Sequence, residues 1–580
     1  MIGLFKHISW YIKEQKKMYT KLIILIMFIS FLTIIPPKLI GLIIDKIASN
    51  TLTVFSLSIL GGALIFVPLI IFLANKYYHY NLNLRGQVLS RKLRIIYLAK
   101  LFASDIDLYE NYNKGELIAR ISNDLLYISQ AATVLMSDLI YCLTLILFIF
   151  LIMIFNLSFK LTIVAFLIIP IAFYILNLIL KHMRKYYFKH RKIFEKFFNS
   201  ILESVEGMRL IRGSTYEEED FQKNQAAINE DIESWTHIVK FETIFTPFFE
   251  LVIAISTFLT FFYGTYLVIN NQMSAGDLIT FSVYITMVNG PLLVLANVYN
   301  IANQASIASE RFFKIMNTEN QVIEATNPKA LLDFQTIKFD NVSFKYKVEE
   351  EYVLNNISFS VQKGQKVAFV GPTGSGKSTL VKHLLRDFNP TQGDIYIDEE
   401  NIKNYKIKDI LQLIGYVPQI HTLFQGTIKE NLELAVQEVS YEDIFFAINS
   451  SEMQEDLQNM EYGLETWLDE GGRGLSGGQK QRLSIARALI KNPKILILDD
   501  SLSAVDTNTE KLILENLKEK IKDKTTFIVS HRFSVVKDSD IIFVLNNGQI
   551  IEQGTHQELM QNKNWYYQEY LKQVGEQDVN

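Results

Sequence analysis

Past the middle of the chain, nine consecutive residues are suited to hold a polyphosphate: Gly371, Pro372, Thr373, Gly374, Ser375, Gly376, Lys377, Ser378 and Thr379. Gly371, Gly376, Lys377 and Ser378 fit the pattern G-x-x-x-x-G-K-[ST]. In that pattern glycines let backbone N–H groups converge on phosphate oxygens at a helix N-terminus. Lys377 would balance β- and γ-phosphate charge, and Ser378 would ligate Mg²⁺. The flanks agree: Lys366–Val370 reads as a buried strand and Leu380–Leu385 as the helix that follows. A second apolar strand, from Lys494, ends in Asp499, an acid placed to hold the Mg²⁺ shell. Between the two lie Leu475, Ser476, Gly477, Gly478 and Gln479, which open a helix running to Leu489. A serine and two glycines at a helix start again suit an anion. The chemistry these residues predict is ATP binding with Mg²⁺.

The segments that must position them fall into two unlike halves. A chain of 580 residues is too long for one core. Long apolar runs end by about residue 304, and an ordinary soluble α/β pattern begins near Phe334. We expect a membrane domain over 1–315, a linker over 316–335 and a nucleotide-binding domain over 336–580. Basic and acidic residues number 57 and 61, a balance that gives no support for a nucleic-acid partner. The one cysteine, Cys142, lies in an apolar run and excludes an intrachain disulfide or a cysteine-rich metal site.

A span of the bilayer needs about twenty apolar residues. Six runs qualify, near 22–44, 55–74, 133–155, 161–180, 244–269 and 278–298. The first continues through Pro36 and Pro37, too far for a signal segment, so it reads as a retained helix. Lysine and arginine crowd the N-terminal flank and the two long gaps, which predicts that both termini, the long gaps and the soluble half are cytoplasmic. Tyr77–Lys100 and Met183–Arg212 mix charged and apolar residues at helical spacing. They read as membrane helices extended into the cytoplasm, each ending near a short polar break, Ser104–Gly115 or Gly213–Asp220. Such pairs are either levers for contacting another domain or solvated helical hairpins. Pro36, Pro37, Pro170 and Pro291 are expected to kink their helices. Glu250 lies inside the fifth run, where a carboxylate is expensive. It faces a substrate cavity or pairs at a helix contact, and both readings stand. Asp138 and Asn289 carry the same alternatives with less weight.

From end to end the chain resembles the ABC exporter family, in its multidrug-exporter branch. The six runs, the phosphate-binding loop, Leu475–Gln479 and Asp499 carry the resemblance. It implies a multi-domain fold. An all-α six-helix transmembrane domain with long cytoplasmic extensions, exchanged between partners, precedes an α/β ATP-binding cassette. It implies a bacterial cytoplasmic membrane, an amphiphilic small-molecule substrate and a second half-transporter as partner. Residue by residue, Tyr346 is similar to the aromatic that stacks on adenine. Gln419 is similar to the glutamine that senses Mg²⁺ and faces the membrane domain. Asp469–Gly474 resembles the segment that meets the cytoplasmic levers, and Ser503–Asp506 the loop between paired cassettes. His531 resembles the switch histidine on the γ-phosphate. In the family two cassettes meet head to tail, so one chain is half of the working unit.

One position departs from the family. The residue after Asp499 is usually Glu, which polarises the attacking water; here it is Asp500. A base one methylene short misses its proton, and a misplacement of about 1 Å can cost roughly a hundredfold. The expectation is a site that binds ATP and hydrolyses it slowly, in a heterodimer whose competent site uses this chain's intact Leu475–Gln479. The competing reading is a homodimer with Asp500 as a slower base, working as a lipid flippase or a lipid or peptide exporter. An importer or a soluble ATPase fits less well, because spans and cassette share one chain.

Overall fold

The computed structural model describes residues 2–347, 350–436, 439–501, 509, 512–516 and 523–577. The chain divides into two compact units. Met1–Phe102 and Lys114–Asn317 form one, and Ala103–Asn113 with Thr318–Asn580 form the other.

The first unit is helical. Among the described residues, five stretches are long and apolar enough to cross a membrane: Lys16–Ala48, Val54–Phe102, Lys114–Leu157, Phe159–Glu206 and Glu217–Ile269. The sixth expected run falls on two helices, Ala275–Met287 and Asn289–Met316, which break at Val288. The break has a chemical cause. Pro291 has no N–H to give to the Met287 carbonyl one turn back. The other expected kinks follow the same rule. The first span breaks at Ile34, ahead of Pro36 and Pro37, and the fourth at Leu167, ahead of Pro170. Pro68 and Pro247 sit inside unbroken helices.

The helical extensions expected from the sequence are continuous with their spans. Val54–Phe102 is one helix, as is Ile168–Glu206, and Glu217–Ile269 returns alongside the latter. At the other end of the unit, Gly41 and Gly276 let two helices touch. A Cβ on Gly276 would lie 2.0 Å from the Gly41 carbonyl oxygen.

The second unit carries the sheets. Its strands are β1 (Thr336–Phe344), β2 (Leu354–Gln362), β3 (Lys366–Val370), β4 (Gln392–Ile397), β5 (Glu400–Asn401), β6 (Ile414–Val417), β7 (Gly426–Thr427), β8 (Trp467–Leu468), β9 (Ile495–Asp499), β10 (Thr525–Val529), β11 (Ile541–Asn546) and β12 (Gln549–Gly554). A six-stranded sheet runs β12-β11-β3-β10-β9-β6, and a four-stranded one β2-β1-β4-β5. In the larger sheet β11, β3, β10, β9 and β6 are parallel. β9 and β10 are buried along their whole length, as strands covered on both faces must be. Parallel strands end on the same edge, so the residues after β3, β9 and β10 are brought together there.

Candidate nucleotide site

β3 is flanked on both sides by parallel partners, β10 and β11, which fixes where it ends. The chain then turns sharply at Gly371. A Cβ there would lie 2.0 Å from the Leu545 carbonyl oxygen, so only glycine fits. Gly376 closes the loop with φ +98° and caps the helix Lys377–Leu384. The Lys377 ammonium folds back into the loop, donating to the Gly371 carbonyl at 2.9 Å, the Pro372 carbonyl at 2.8 Å and Ser375 Oγ at 3.3 Å. Burial pulls its pKa below the usual lysine range, against the opposing charges of Asp500 and Asp499. A buried cation beside a helix N-terminus is an anion site.

Ser378, the next residue, donates from Oγ to Asp499 Oδ1 at 2.8 Å. Tyr416, on neighbouring β6, donates its hydroxyl to Asp499 Oδ2 at 3.4 Å. Burial raises the Asp499 carboxyl, and the Ser378 and Tyr416 hydrogen bonds work against that rise. Tyr416 is pushed above the usual phenol range by burial and by Asp499. A hydroxyl and a carboxylate, both oxygen donors, suit a hard cation such as Mg²⁺.

Asp500 follows with φ 47°, a left-handed conformation, and its N–H donates to the Val529 carbonyl at 2.8 Å. Its backbone is therefore pinned to the end of β10. His531 lies just past that strand. Burial lowers its pKa, the charge on Lys377 lowers it further, and Asp500 opposes both. Lys377, Asp500 and His531 thus share one electrostatic neighbourhood. Gln573, from the helix Trp565–Gln577, donates to the His531 carbonyl at 2.7 Å and holds that turn. Gln419 is exposed two residues beyond β6.

Tyr346 is tied to the loop. Its hydroxyl shares a 3.0 Å hydrogen bond with Thr379 Oγ1, and its ring packs edge-on against Phe344 and Phe388. Lys382 Nζ lies 6.0 Å from the same ring centroid and forms a 3.0 Å ion pair with Glu110. Glu110 belongs to Ile106–Asn111, a short helix placed with this unit although it is encoded between membrane spans.

Leu475–Gln479 forms a capped helix start. Ser476 Oγ accepts from the Gln479 N–H at 3.2 Å, and Gln479 Oε1 accepts from the Ser476 N–H at 2.9 Å. Asp456 braces the turn from outside, accepting from Gln479 Nε2 at 3.1 Å and Arg482 Nε at 2.8 Å. Gly477 and Gly478 open the helix, where the first N–H groups have no carbonyl of the helix to bond. Among the described residues no hydrogen bond or ion pair links Leu475–Gln479 to Gly371–Thr379. The turns of Asp469–Gly474 place Gly471, Gly472 and Gly474 at positive φ. Glu250 is exposed on its helix. Ser503–Asp506 lies outside the described residues.

Sequence reasoning missed Tyr416, Lys382 and Asp456 as parts of this site. Tyr416 had a signal, since β6 and β9 are both short apolar strands bound to lie in one parallel sheet. Asp456 had none: it is 20 residues ahead of Ser476 in a polar stretch.

Comparison with known proteins agrees over the full length. Residues 19–292 match the ABC transporter transmembrane region, and residues 354–503 the ABC transporter family. The chain is 34% identical to the probable multidrug resistance ABC transporter ATP-binding/permease protein YheI of Bacillus subtilis, over 99% of this chain and 98% of the relative. It is 33% identical to the multidrug resistance-like ATP-binding protein MdlA of Buchnera aphidicola, over 98% and 99%. An ATP-dependent lipid A-core flippase of Syntrophus aciditrophicus is 30% identical over 85% and 82%. A bacterial Atm1-family ABC exporter solved with ATP bound shares the fold, with TM-score 0.79 over 97% of this chain and 98% of the other at 24% identity.

Proposed function

The chain belongs to the ABC transporter family, with the two-part architecture of a half-transporter, and on that premise we propose that it exports amphiphilic compounds as one half of a heterodimer with its own ATP site hydrolytically weak. The family makes it a multi-pass membrane protein that binds ATP. In the proposed site Gly371–Thr379 would cradle the phosphates, Lys377 would neutralise them, Tyr346 would stack on the base, and Ser378, Asp499 and Gln419 would hold Mg²⁺. His531 would contact the γ-phosphate. Magnesium supplies charge neutralisation of the phosphates. This chain's residues do the positioning.

The observation that carries the weak-site reading is the pinned backbone of Asp500. Its N–H is bonded to Val529 and its φ is left-handed, so the chain cannot advance to make up the missing methylene. A base held back from its proton is slow. Leu475–Gln479, by contrast, is intact and braced, fit to complete a site on a partner. The substrate class rests on the relatives, whose names speak of multidrug resistance and of lipid A-core, both matters of amphiphiles. The proposed setting is a bacterial cytoplasmic membrane with both termini and the cassette inside.

The test compares the purified chain alone with the chain joined to a second half-exporter from the same genome. Slow turnover alone and fast turnover together are expected. Brisk turnover by the isolated chain, abolished by Asp500→Asn, would overturn the heterodimer. The flippase relative favours the alternative of a homodimer moving lipid. ATPase stimulation by lipid but not by amphiphilic dyes would select it.

A further inference from the structure

The turn after β10 carries His531, and a residue near the far end of the sequence holds it. Ser530 donates its N–H to the Phe369 carbonyl of β3 at 3.4 Å, which ties the start of the turn to the sheet. The Arg532 N–H folds back onto Ser530 Oγ at 3.0 Å. Gln573 fastens what remains. Its Nε2 donates to the His531 carbonyl at 2.7 Å, and its Oε1 accepts from the Phe533 N–H at 3.2 Å. One carboxamide thus grips the backbone on both sides of Arg532. Only one orientation of the amide makes both bonds, since a carbonyl can only accept and an N–H only donate.

The helix Trp565–Gln577 that supplies Gln573 is itself anchored. Tyr566, Tyr570 and Gln573 follow helical spacing and share one face. Phe533 opens the short helix Phe533–Val536, is buried, and meets that face edge-on, its ring centroid 4.9 Å from Tyr566 and 5.8 Å from Tyr570. Tyr566 is fully buried. Its hydroxyl shares a 2.8 Å hydrogen bond with His556 Nδ1, and its N–H donates to Glu552 Oε1 on β12 at 3.3 Å. The carboxamide is therefore carried on a helix fastened to the edge of the six-stranded sheet. The His531 side chain, by contrast, is exposed. An exposed imidazole takes its place from the backbone that bears it more than from packing, and a contact misplaced by about 1 Å is largely lost.

We propose that Gln573 is a positioning residue of the nucleotide site: by clamping the His531–Phe533 backbone it holds the imidazole at the γ-phosphate of bound ATP, so that the site favours a nucleoside triphosphate over a diphosphate. The inference rests on the reading of His531 as a γ-phosphate contact. It holds whichever site hydrolyses ATP, because it concerns binding.

Displacement of a fluorescent nucleotide from the full-length chain in lipid nanodiscs, by ATP or by ADP, each with Mg²⁺ and in the cold, tests it. His531→Ala sets the scale: ATP should bind about tenfold more weakly and ADP within about twofold of the wild type, the loss of one hydrogen bond to a charged group. Gln573→Met keeps the bulk of the side chain and removes both hydrogen bonds, and it should lower the preference for ATP nearly as far. Gln573→Glu still accepts from the Phe533 N–H but has no N–H for the His531 carbonyl, and should do the same. The double variant of His531→Ala with Gln573→Met should match His531→Ala alone, since residues that act through one contact do not add. Losses that add in the double variant, or an equal loss of ATP and ADP in Gln573→Met, would assign Gln573 to the fold and overturn the proposal. So would an unchanged preference in both Gln573 variants while His531→Ala lowers it. If His531→Ala itself leaves the preference unchanged, the γ-phosphate reading of His531 falls, and the clamp with it.

Discussion

Ser378 Oγ donates a 2.8 Å hydrogen bond to Asp499 Oδ1 across 121 residues of sequence. The pair exists because β3 and β9 are parallel and separated only by β10, so the loop after one and the acid closing the other share an edge. With a cation present, both oxygens would turn to it. Ser378→Ala should therefore weaken binding of ATP in the presence of Mg²⁺ by about tenfold, roughly 1.4 kcal/mol. Binding without Mg²⁺ should change little. Fluorescent-nucleotide titrations with Mg²⁺ and with chelator check this; an equal loss in both would remove Ser378 from the metal shell.

Asp500→Glu returns the missing methylene at a backbone that Val529 holds in place. Turnover by the isolated chain should rise on the order of ten- to a hundredfold. The left-handed φ of 47° suits Asp better than Glu. A stability loss of about 1 kcal/mol is expected beside the gain in rate. Phosphate release and a thermal melt on the same sample read the two effects apart. Unchanged turnover would mean that reach is not what limits this site.

Much of this site was legible because its chemistry is local. Gly371–Thr379 needs only a strand before it and a helix after it, and both are written in adjacent residues. Apolar run length likewise matches, among the described residues, five helices long and apolar enough to cross a membrane. The sixth run falls on two helices that break at Val288, because Pro291 removes a hydrogen bond that hydropathy does not register. Pairings between distant segments were silent. Asp456 with Gln479, Lys382 with Glu110, and Asp124 with Arg311 each join polar residues that read in sequence as solvated faces. The placement of Ile106–Asn111 with the cassette was visible only as a polar break between helices.

Asp387 gives a pH signature. Burial lifts its carboxyl to about 6, against the pull of Lys382 and with the help of Glu110. The usual carboxylate value is about 4. Between those values the folded chain holds a proton that the unfolded chain has lost. Ionising Asp387 therefore destabilises the fold as pH rises through 6, and below about pH 4 the cost vanishes. Asp387→Asn should stabilise the protein at pH 7.5 by up to roughly 3 kcal/mol, with the gain shrinking toward pH 4. Scanning fluorimetry from pH 4 to 8 reads the trend. A gain that does not change with pH would assign the effect to packing.

Asp456 separates the two nucleotide roles of the chain. Its carboxylate holds Gln479 Nε2 and Arg482, and among the described residues it makes no hydrogen bond or ion pair with Gly371–Thr379. Asp456→Ala leaves the half-buried Arg482 without its anion, at a cost of about 1–3 kcal/mol. The first turn of the Ser476 helix is then held by its capping box alone. If Leu475–Gln479 closes over a partner's ATP, turnover by the two-chain complex should fall about tenfold or more, the loss of a positioned contact. Photolabelling of this chain's own site with an azido-ATP should stay within about twofold, since no bond of that site is touched. Asp456→Asn, which can still accept from Gln479, should lie between. Equal loss of labelling and turnover would show that Asp456 supports the fold of the whole cassette. A loss of turnover alone would place Leu475–Gln479 at a site this chain does not complete by itself.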